Sequence, residues 1–582
     1  MNKNIRPLAF LIILLSTAIT SWGQQPFIRL TNPLKTDNSS SYSKQFITGS
    51  TCKSCTITMN NVAQKVYPTG AFAIQLDLQQ GNNQFKLIAK NKSGKSTTKV
   101  INYNYTEPAP PQPVTSFSIA YVQTFPSGDL IVAPGDKIQF RVKAQPGGEV
   151  AVEDKFRLQE IPLGGTQQMP GIYQGTYTVQ CNDPLINGGR LNIVLRNNNQ
   201  SVAKRTESSY TLLNTNEQPL IGKTKGELPY LEYGLGDDRL GGAKMGYLDT
   251  AVLLSITGKV GDEYRVKLSS TLSAYIPSEM VELLPGGTFP PRSNTGSWKV
   301  YGDDKFDYVS IGLSCKLPYR SIQEINPSKI IVDVYGATSN TNWITQLQNV
   351  QEIKNVYYDQ KEDGVFRVII ELKHEQHWGH QVYYDGNTLM IKVKRPPQSK
   401  DIKGLTIAVD AGHGGRNRGS RGPTGVYEKD MTLAISKIVA KKLEDEGVNV
   451  LMTRVNDSYV DNRYRIVYYQ EKDPDLLISI HTNSSADPIR VEGTSTYYKH
   501  IGFRDLSTSI YKKMLGTGLK EFGNVGSFNF ALNAPTEYPN ALVETLFISN
   551  PEDEMKVLDP AFREKMADEI IAGIKDFVKN AR

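Results

Sequence analysis

Near residue 403 the hydrophobic pattern of this 582-residue chain changes period, and the change separates two kinds of architecture. Upstream, apolar residues come in short alternating runs such as AFAIQLDL and NQFKLIAKN, set between Gly, Asn and Ser turns. That is the period of half-buried strands. Downstream, LTIAVD reads as a buried strand, and MTLAISKIVAKKLEDEG carries apolar residues at helical spacing before stopping at Gly447. Strands and helices then keep alternating. The expected fold is multidomain: all-β modules followed by a C-terminal α/β domain with a mostly parallel sheet. A chain of this length exceeds what one core can organise.

The modules have legible limits. Residues 1–23, MNKNIRPLAFLIILLSTAITSWG, place Lys3 and Arg6 ahead of an apolar run and end on the small residues Ser21 and Gly23, a signal-peptide pattern. An uncleaved anchor is the alternative, although the run is short for a membrane span. No later stretch approaches that length, so the mature chain is expected to be exported, in the periplasm or cell envelope, with no transmembrane segment. Residues 24–105 read as an Ig-like β-sandwich, 106–115 (TEPAPPQPVT) as a proline-rich linker, and 116–214 as a second sandwich. Residues 225–286 have the length and turn spacing of a small barrel. Residues 298–396 form a further β-rich domain, with Asp385-Gly386-Asn387 as a turn. Two segments of the last domain read as long helices: LSTSIYKKMLGTGLKEFG, and the terminal AFREKMADEIIAGIKDFVKNA.

Four cysteines do not make a disulfide scaffold in so long a chain. Cys52 and Cys55 are close enough to pair with each other; a redox motif would need a strand-to-helix context, and their flanks read as strand and turn. Cys181 and Cys315 are expected as buried thiols in different domains. The net charge of +7 is too mild and dispersed to argue for nucleic acid, and is compatible with an anionic wall surface. HEQHWGH groups His374, His377 and His380. In extended chain, however, His377 points away from the face shared by the other two, and no acid or cysteine completes a zinc set. They are expected as ordinary surface or strand histidines.

Two other histidines occupy equivalent places: His413 in VDAGHGG just beyond LTIAVD, and His481 directly after DLLISI. In a parallel sheet both emerge on the carboxyl rim, where functional groups gather. Glu428 lies between them at the entrance to a helix. Two imidazoles and a carboxylate are a usual catalytic zinc set with a fourth position for water. Glu544, in the apolar strand NALVETLFISN, is an acid whose burial would be costly without a partner or a task, and partial burial raises a carboxyl towards the range of a general base. Taken alone, His413 also fits a turn histidine and Glu544 a paired structural carboxylate.

Together, VDAGHGG, EKDMTLAI, TRVND, LLISIHTN and ALVETLFISN resemble, in order and context, the zinc-dependent N-acetylmuramoyl-L-alanine amidases of the type-3 family, across residues 403–582. The resemblance implies one Zn2+ held by His413, Glu428 and His481, with Glu544 as the catalytic carboxylate. Asn483 also matches the pattern and is expected to position substrate or a loop, or simply to stabilise a turn; Arg454 in TRVND is expected to anchor structure. Residues 225–286 resemble the SH3-like domains that accompany bacterial wall enzymes, and 298–396 resembles β-domains found upstream of cell-wall amidases. Several family members carry a long insert with a plugging helix between the second histidine and the glutamate strand. Here only about sixty residues intervene, so an uncovered active site is expected.

The implied reaction is hydrolysis of the amide between the lactyl group of N-acetylmuramic acid and L-alanine of the stem peptide. Peptidoglycan is the expected partner, with envelope proteins as possible ligands of the β-domains. The alternatives are a zinc peptidase or carboxypeptidase acting on wall peptides, and a non-catalytic wall-binding protein.

Overall fold

In a computed structural model of the chain, residues 25–581 are described except 109–111, 133, 162–168, 187, 213–219 and 237–239. The signal-peptide reading of residues 1–23 therefore lies outside the described residues. The chain divides into two compact units, a smaller one formed by the chain up to Glu107 with residues 423–425 and 486–489, and a larger one formed by the rest from Pro108 onward.

The first unit pairs a three-stranded and a five-stranded sheet over one core that includes Ile47, Ile57, Phe72, Leu87 and Ile101. Alternation makes it: in the strand Ala71–Asp77, Phe72, Ile74 and Leu76 are buried while Ala73, Gln75 and Asp77 are not. Cys52 and Cys55 form a disulfide. Neither of the other two cysteines is the buried thiol expected. Cys181 is exposed because it falls in the turn after the strand Ile172–Thr178, and Cys315 is half-buried.

In the second unit the strand Asp129–Val132 lies between Ser209–Leu212, to which it is parallel, and Gly258–Lys259, to which it is antiparallel. Pairing thus crosses the boundary read between 214 and 225. Strands between Leu220 and Leu283 then share a core with residues 298–393, in which Val252, Leu254 and Ile276 join Trp298, Val309, Val332 and Phe366. These β-modules share paired strands and one core rather than standing as separate domains.

The C-terminal domain contains the strands β1 (Thr406–Ala411), β2 (Asn449–Leu451), β3 (Leu476–Asn483), β4 (Thr494–Tyr497), β5 (Glu521–Val525) and β6 (Asn540–Phe547). Their order across the sheet is β2-β1-β3-β6-β4-β5; β1 is parallel to β2 and β3, β3 to β6, and β4 to β5, while β4 and β6 are antiparallel. The helices are α1 (Glu428–Asp445), α2 (Asn462–Lys472), α3 (Arg504–Leu515), α4 (Pro551–Leu558) and α5 (Pro560–Asn580). Both faces of the sheet are covered, which is why the central strands read as continuous apolar runs. Ile407, Val409, Ile478 and Ile480 meet α1, α3 and α5, whereas Ala408 and Leu477 meet Ile466 and Tyr469 of α2.

Element ends follow local chemistry. Gly447, at φ +82°, sits just past α1 in the left-handed region that suits glycine. Asp461 caps α2 by accepting from the Tyr464 amide. The helix expected from LSTSIYKKMLGTGLKEFG stops at Leu515, because Gly516-Thr517-Gly518 breaks it, and Glu521–Val525 joins the sheet edge instead. The terminal helix is preceded by α4, which Asn550 caps with Pro551 in the first turn.

Candidate active site

The carboxyl ends of β1 and β3 bring His413 and His481 together, their ring centroids 4.9 Å apart. His413 follows β1 in a left-handed conformation, φ +62°. Such a conformation is uncommon for a residue with a side chain and holds only when its surroundings impose it. Gly412 permits the close approach, since a Cβ there would lie 2.3 Å from the His481 ring. Glu428, the first residue of α1, enters from the loop and is buried. One of its oxygens, Oε1, lies 3.1 Å from His413 Nε2 and 3.0 Å from His481 Nδ1, and accepts from the Thr482 amide. The other accepts from the Ser420 amide.

The donor set suits a divalent cation. His413 Nδ1 is 2.9 Å from Asn417 Oδ1, an acceptor, so Nδ1 carries the hydrogen and Nε2 turns a lone pair towards Glu428. A lone pair facing a carboxylate at this distance calls for positive charge between them, either a proton that makes the ring an imidazolium or a cation. Burial disfavours charge on His413, but contact with Glu428 outweighs it and raises the imidazole pKa. Burial likewise pushes the Glu428 carboxyl up, yet the two histidines hold it well below the usual carboxylate range. The ligand atoms all lie within 4.8 Å of one another. Donors at ~2.1 Å around a tetrahedral ion are about 3.4 Å apart, so little rearrangement closes the set.

Glu544 of β6 is the register partner of His481 on β3 and is buried, 7% exposed. With His413, Glu428, His481, Asn483 and Phe530 it lines a cleft of about 590 Å3. Asn483 donates to the Tyr497 hydroxyl at 3.2 Å and accepts from the Ser484 amide at 2.8 Å. Arg454 is buried and donates to the Ala411 and Gly412 carbonyls, fastening the strand end that carries His413.

Two further residues brace the site and were not anticipated. Arg465 of α2 donates to Asp410 at 2.7 Å, to the Ala411 carbonyl at 2.8 Å and to the His413 carbonyl at 2.7 Å. Asp410 also accepts from Thr453, Tyr469 and Ser479. Burial raises its carboxyl, but Arg465 overcomes this and lowers it. An aspartate inside LTIAVD was the available signal, because a buried acid demands a partner.

The HEQHWGH histidines do not converge on a metal set among the described residues. Nor are they all at the surface: His377 and His380 are buried, each 1% exposed, where this segment packs on the C-terminal domain. His377 bonds the Glu324 carbonyl at 2.8 Å, and the His380 backbone amide donates to the Thr536 carbonyl at 2.7 Å. Burial pushes the His380 imidazole down to about 3, leaving it neutral. His374 instead pairs with Glu352.

A two-sided α/β sheet whose carboxyl rim carries a His–Glu–His cluster beside a buried glutamate forms a domain with a candidate divalent-metal site in an open cleft. Residues 407–576 match the N-acetylmuramoyl-L-alanine amidase family, and the chain belongs to that family. It is 32% identical over 183 residues to an uncharacterized protein of Bacillus subtilis, YqiI, covering 31% of this chain and 87% of that one. It is 34% identical over 201 residues to the probable cell wall amidase LytH of Staphylococcus epidermidis, covering 32% of this chain and 64% of LytH. Among solved structures, an N-acetylmuramoyl-L-alanine amidase from Clostridium difficile is 26% identical, covering 31% of this chain and 99% of that chain, with a TM-score of 0.30.

Proposed function

We propose that this chain hydrolyses the amide joining the lactyl group of N-acetylmuramic acid to L-alanine of the peptidoglycan stem peptide. The observation that carries the reading is the approach of His413 Nε2 and His481 Nδ1 to one oxygen of Glu428, at 3.1 and 3.0 Å, with Glu544 the register partner of His481. In this reading His413, Glu428 and His481 hold one Zn2+. When bound, the ion polarises the scissile carbonyl and brings the pKa of water towards neutrality. Glu544 takes a proton from the attacking water and delivers it to the departing nitrogen, so that the C–N bond breaks and L-alanine leaves as a neutral amine. Asn483, braced by Tyr497, holds the substrate against the cleft wall.

The site is uncovered in this account. Helix α3, which falls between His481 and Glu544, buries Leu506, Ile510 and Met514 against α5, so its apolar face is committed to the core. The upstream modules, read as two Ig-like sandwiches, an SH3-like barrel and an amidase-associated β-domain, tether the enzyme to the wall or to envelope proteins. Relatives named cell wall amidases support an exported, envelope setting, within which the periplasm is the proposed place. No helix among the described residues is long and apolar enough to cross a membrane.

Mass analysis of muropeptides digested by the full chain tests the reading. Expected products are saccharides with a free lactyl carboxyl and peptides beginning at L-alanine, absent with chelator or with Glu544→Gln. Cuts between amino acids would identify a peptidase. Zinc-free protein with unchanged wall affinity and no turnover would identify a wall-binding protein.

A further inference from the structure

The cleft is not walled by the C-terminal domain alone. Leu240 and Lys244, from the module between Leu220 and Leu283, line it together with His413, Glu428 and Glu544. A single asparagine fixes this wall: Asn529 Nδ2 donates to the Gly242 carbonyl at 2.7 Å and the Leu240 carbonyl at 3.3 Å, while its Oδ1 accepts from the Lys244 amide at 3.1 Å. That oxygen also accepts from Lys499 Nζ at 3.1 Å. The wall is therefore built into the fold, and its register against the His–Glu–His cluster is set by the Asn529 side chain bonding the 240–244 backbone.

Its charge is one-sided. Lys244 is the sole cation among the described residues lining the cleft. Behind it stand one acid and a second lysine: Lys244 Nζ is 3.7 Å from Glu232 Oε1 and 4.3 Å from the centre of the Tyr230 ring. Burial lowers Lys499 to about 8, and the neighbouring Lys244 charge pushes in the same direction. Two ammonium groups thus face Glu232 in a poorly solvated corner, and the next carboxyl, Glu263, is pushed by burial up to about 7, so a further anion is favoured there.

We infer that Lys244, on a module outside the amidase fold, forms a carboxylate-binding subsite of the cleft and makes the enzyme prefer stem peptides with a free side-chain or α-carboxylate over those in which it is amidated. The inference rests on the proposed amidase reading and adds a substrate preference to it. A charged contact at a half-buried wall steers binding and selects among ligands that are otherwise alike.

The test compares kcat/KM of the full chain on two muropeptides that differ only in a free versus an amidated stem carboxylate. Removing Lys244 alone would strand buried Glu232, so the variant is Lys244→Met with Glu232→Gln, which removes the pair together. The wild type is expected to prefer the free acid; the double variant should lower that preference about tenfold or more, mainly through KM, and Lys244→Arg should retain it. A double variant that slows both substrates equally, or leaves the ratio unchanged, overturns the subsite while leaving the amidase reading intact. A wild type that binds zinc yet cleaves neither muropeptide overturns the amidase reading and the subsite with it.

Discussion

Replacing Arg465 by methionine should destabilise the C-terminal domain more than the loss of any exposed charge in the chain. Arg465 and Asp410 are 1% and 0% exposed, and 2.7 Å apart. The substitution removes the ion pair, deletes the bonds to the Ala411 and His413 carbonyls, and leaves a buried carboxylate with only the neutral donors Thr453, Tyr469 and Ser479 to hold its charge. Breaking a buried pair from one side costs about 3–5 kcal/mol, enough to raise the open population of the domain by roughly two to four orders of magnitude. Hydrogen exchange followed by mass spectrometry over peptides from 403–581 reads this directly. The pH dependence has a definite sign. Asp410 is held below its ordinary 3.8, so its contribution is complete above that pH and is lost as pH falls through the lower folded value. Without Arg465, burial alone would push the carboxyl up and acid unfolding should move to higher pH. Adding Asp410→Asn should recover about 2 kcal/mol, because the stranded charge is gone. A loss below ~1 kcal/mol for Arg465→Met, or a double variant weaker than the single, would refute this account of the brace.

Three further outcomes are expected. Burial raises Glu352 to about 7 despite its contact with His374, so folding stability is fully present below the unfolded value of 4.5 and is lost as pH rises towards 7. Glu352→Gln should flatten that loss of about 3 kcal/mol in a thermal-melt series between pH 4 and 8. Ile478, fully buried in β3 between α1 and α5, should cost about 2–5 kcal/mol as Ile478→Ala in urea unfolding of the C-terminal transition. Zinc at ~100 times its Kd should stabilise the domain by about 2.7 kcal/mol in thermal melts, an effect that chelator or His481→Ala removes.

In the candidate site, His413 and His481 were legible because each follows the end of an apolar strand, after Ala411 and Ile480, while Glu544, an acid inside β6, was picked out only with the help of the resemblance. Glu428 was legible because α1 has a clear amphipathic period and the acid opens it. Partnerships across long separations were not. Nothing in TIAVD or NRYRIVYY says that Asp410 and Arg465, fifty-five positions apart, form a pair, although an acid in a buried strand signals that some partner exists. The same limit hid Lys244, whose backbone amide donates to the Asn529 side chain, and the burial of His377 and His380 where their segment packs on the C-terminal domain. The misplaced end of α3 has a local cause: apolar spacing continues through Leu519 and Phe522, while Gly516 and Gly518 end the helix and release a strand that the sheet edge recruits.

Metal content set against turnover tests the central claim most directly. Purified full-length Glu544→Gln, reconstituted and dialysed, should retain one zinc per chain by elemental analysis yet release no lactyl-terminated saccharide, whereas His413→Ala, Glu428→Ala and His481→Ala should each lose the ion and the activity together. Zinc retained at full stoichiometry in all three of those variants, or lost from Glu544→Gln, would contradict it.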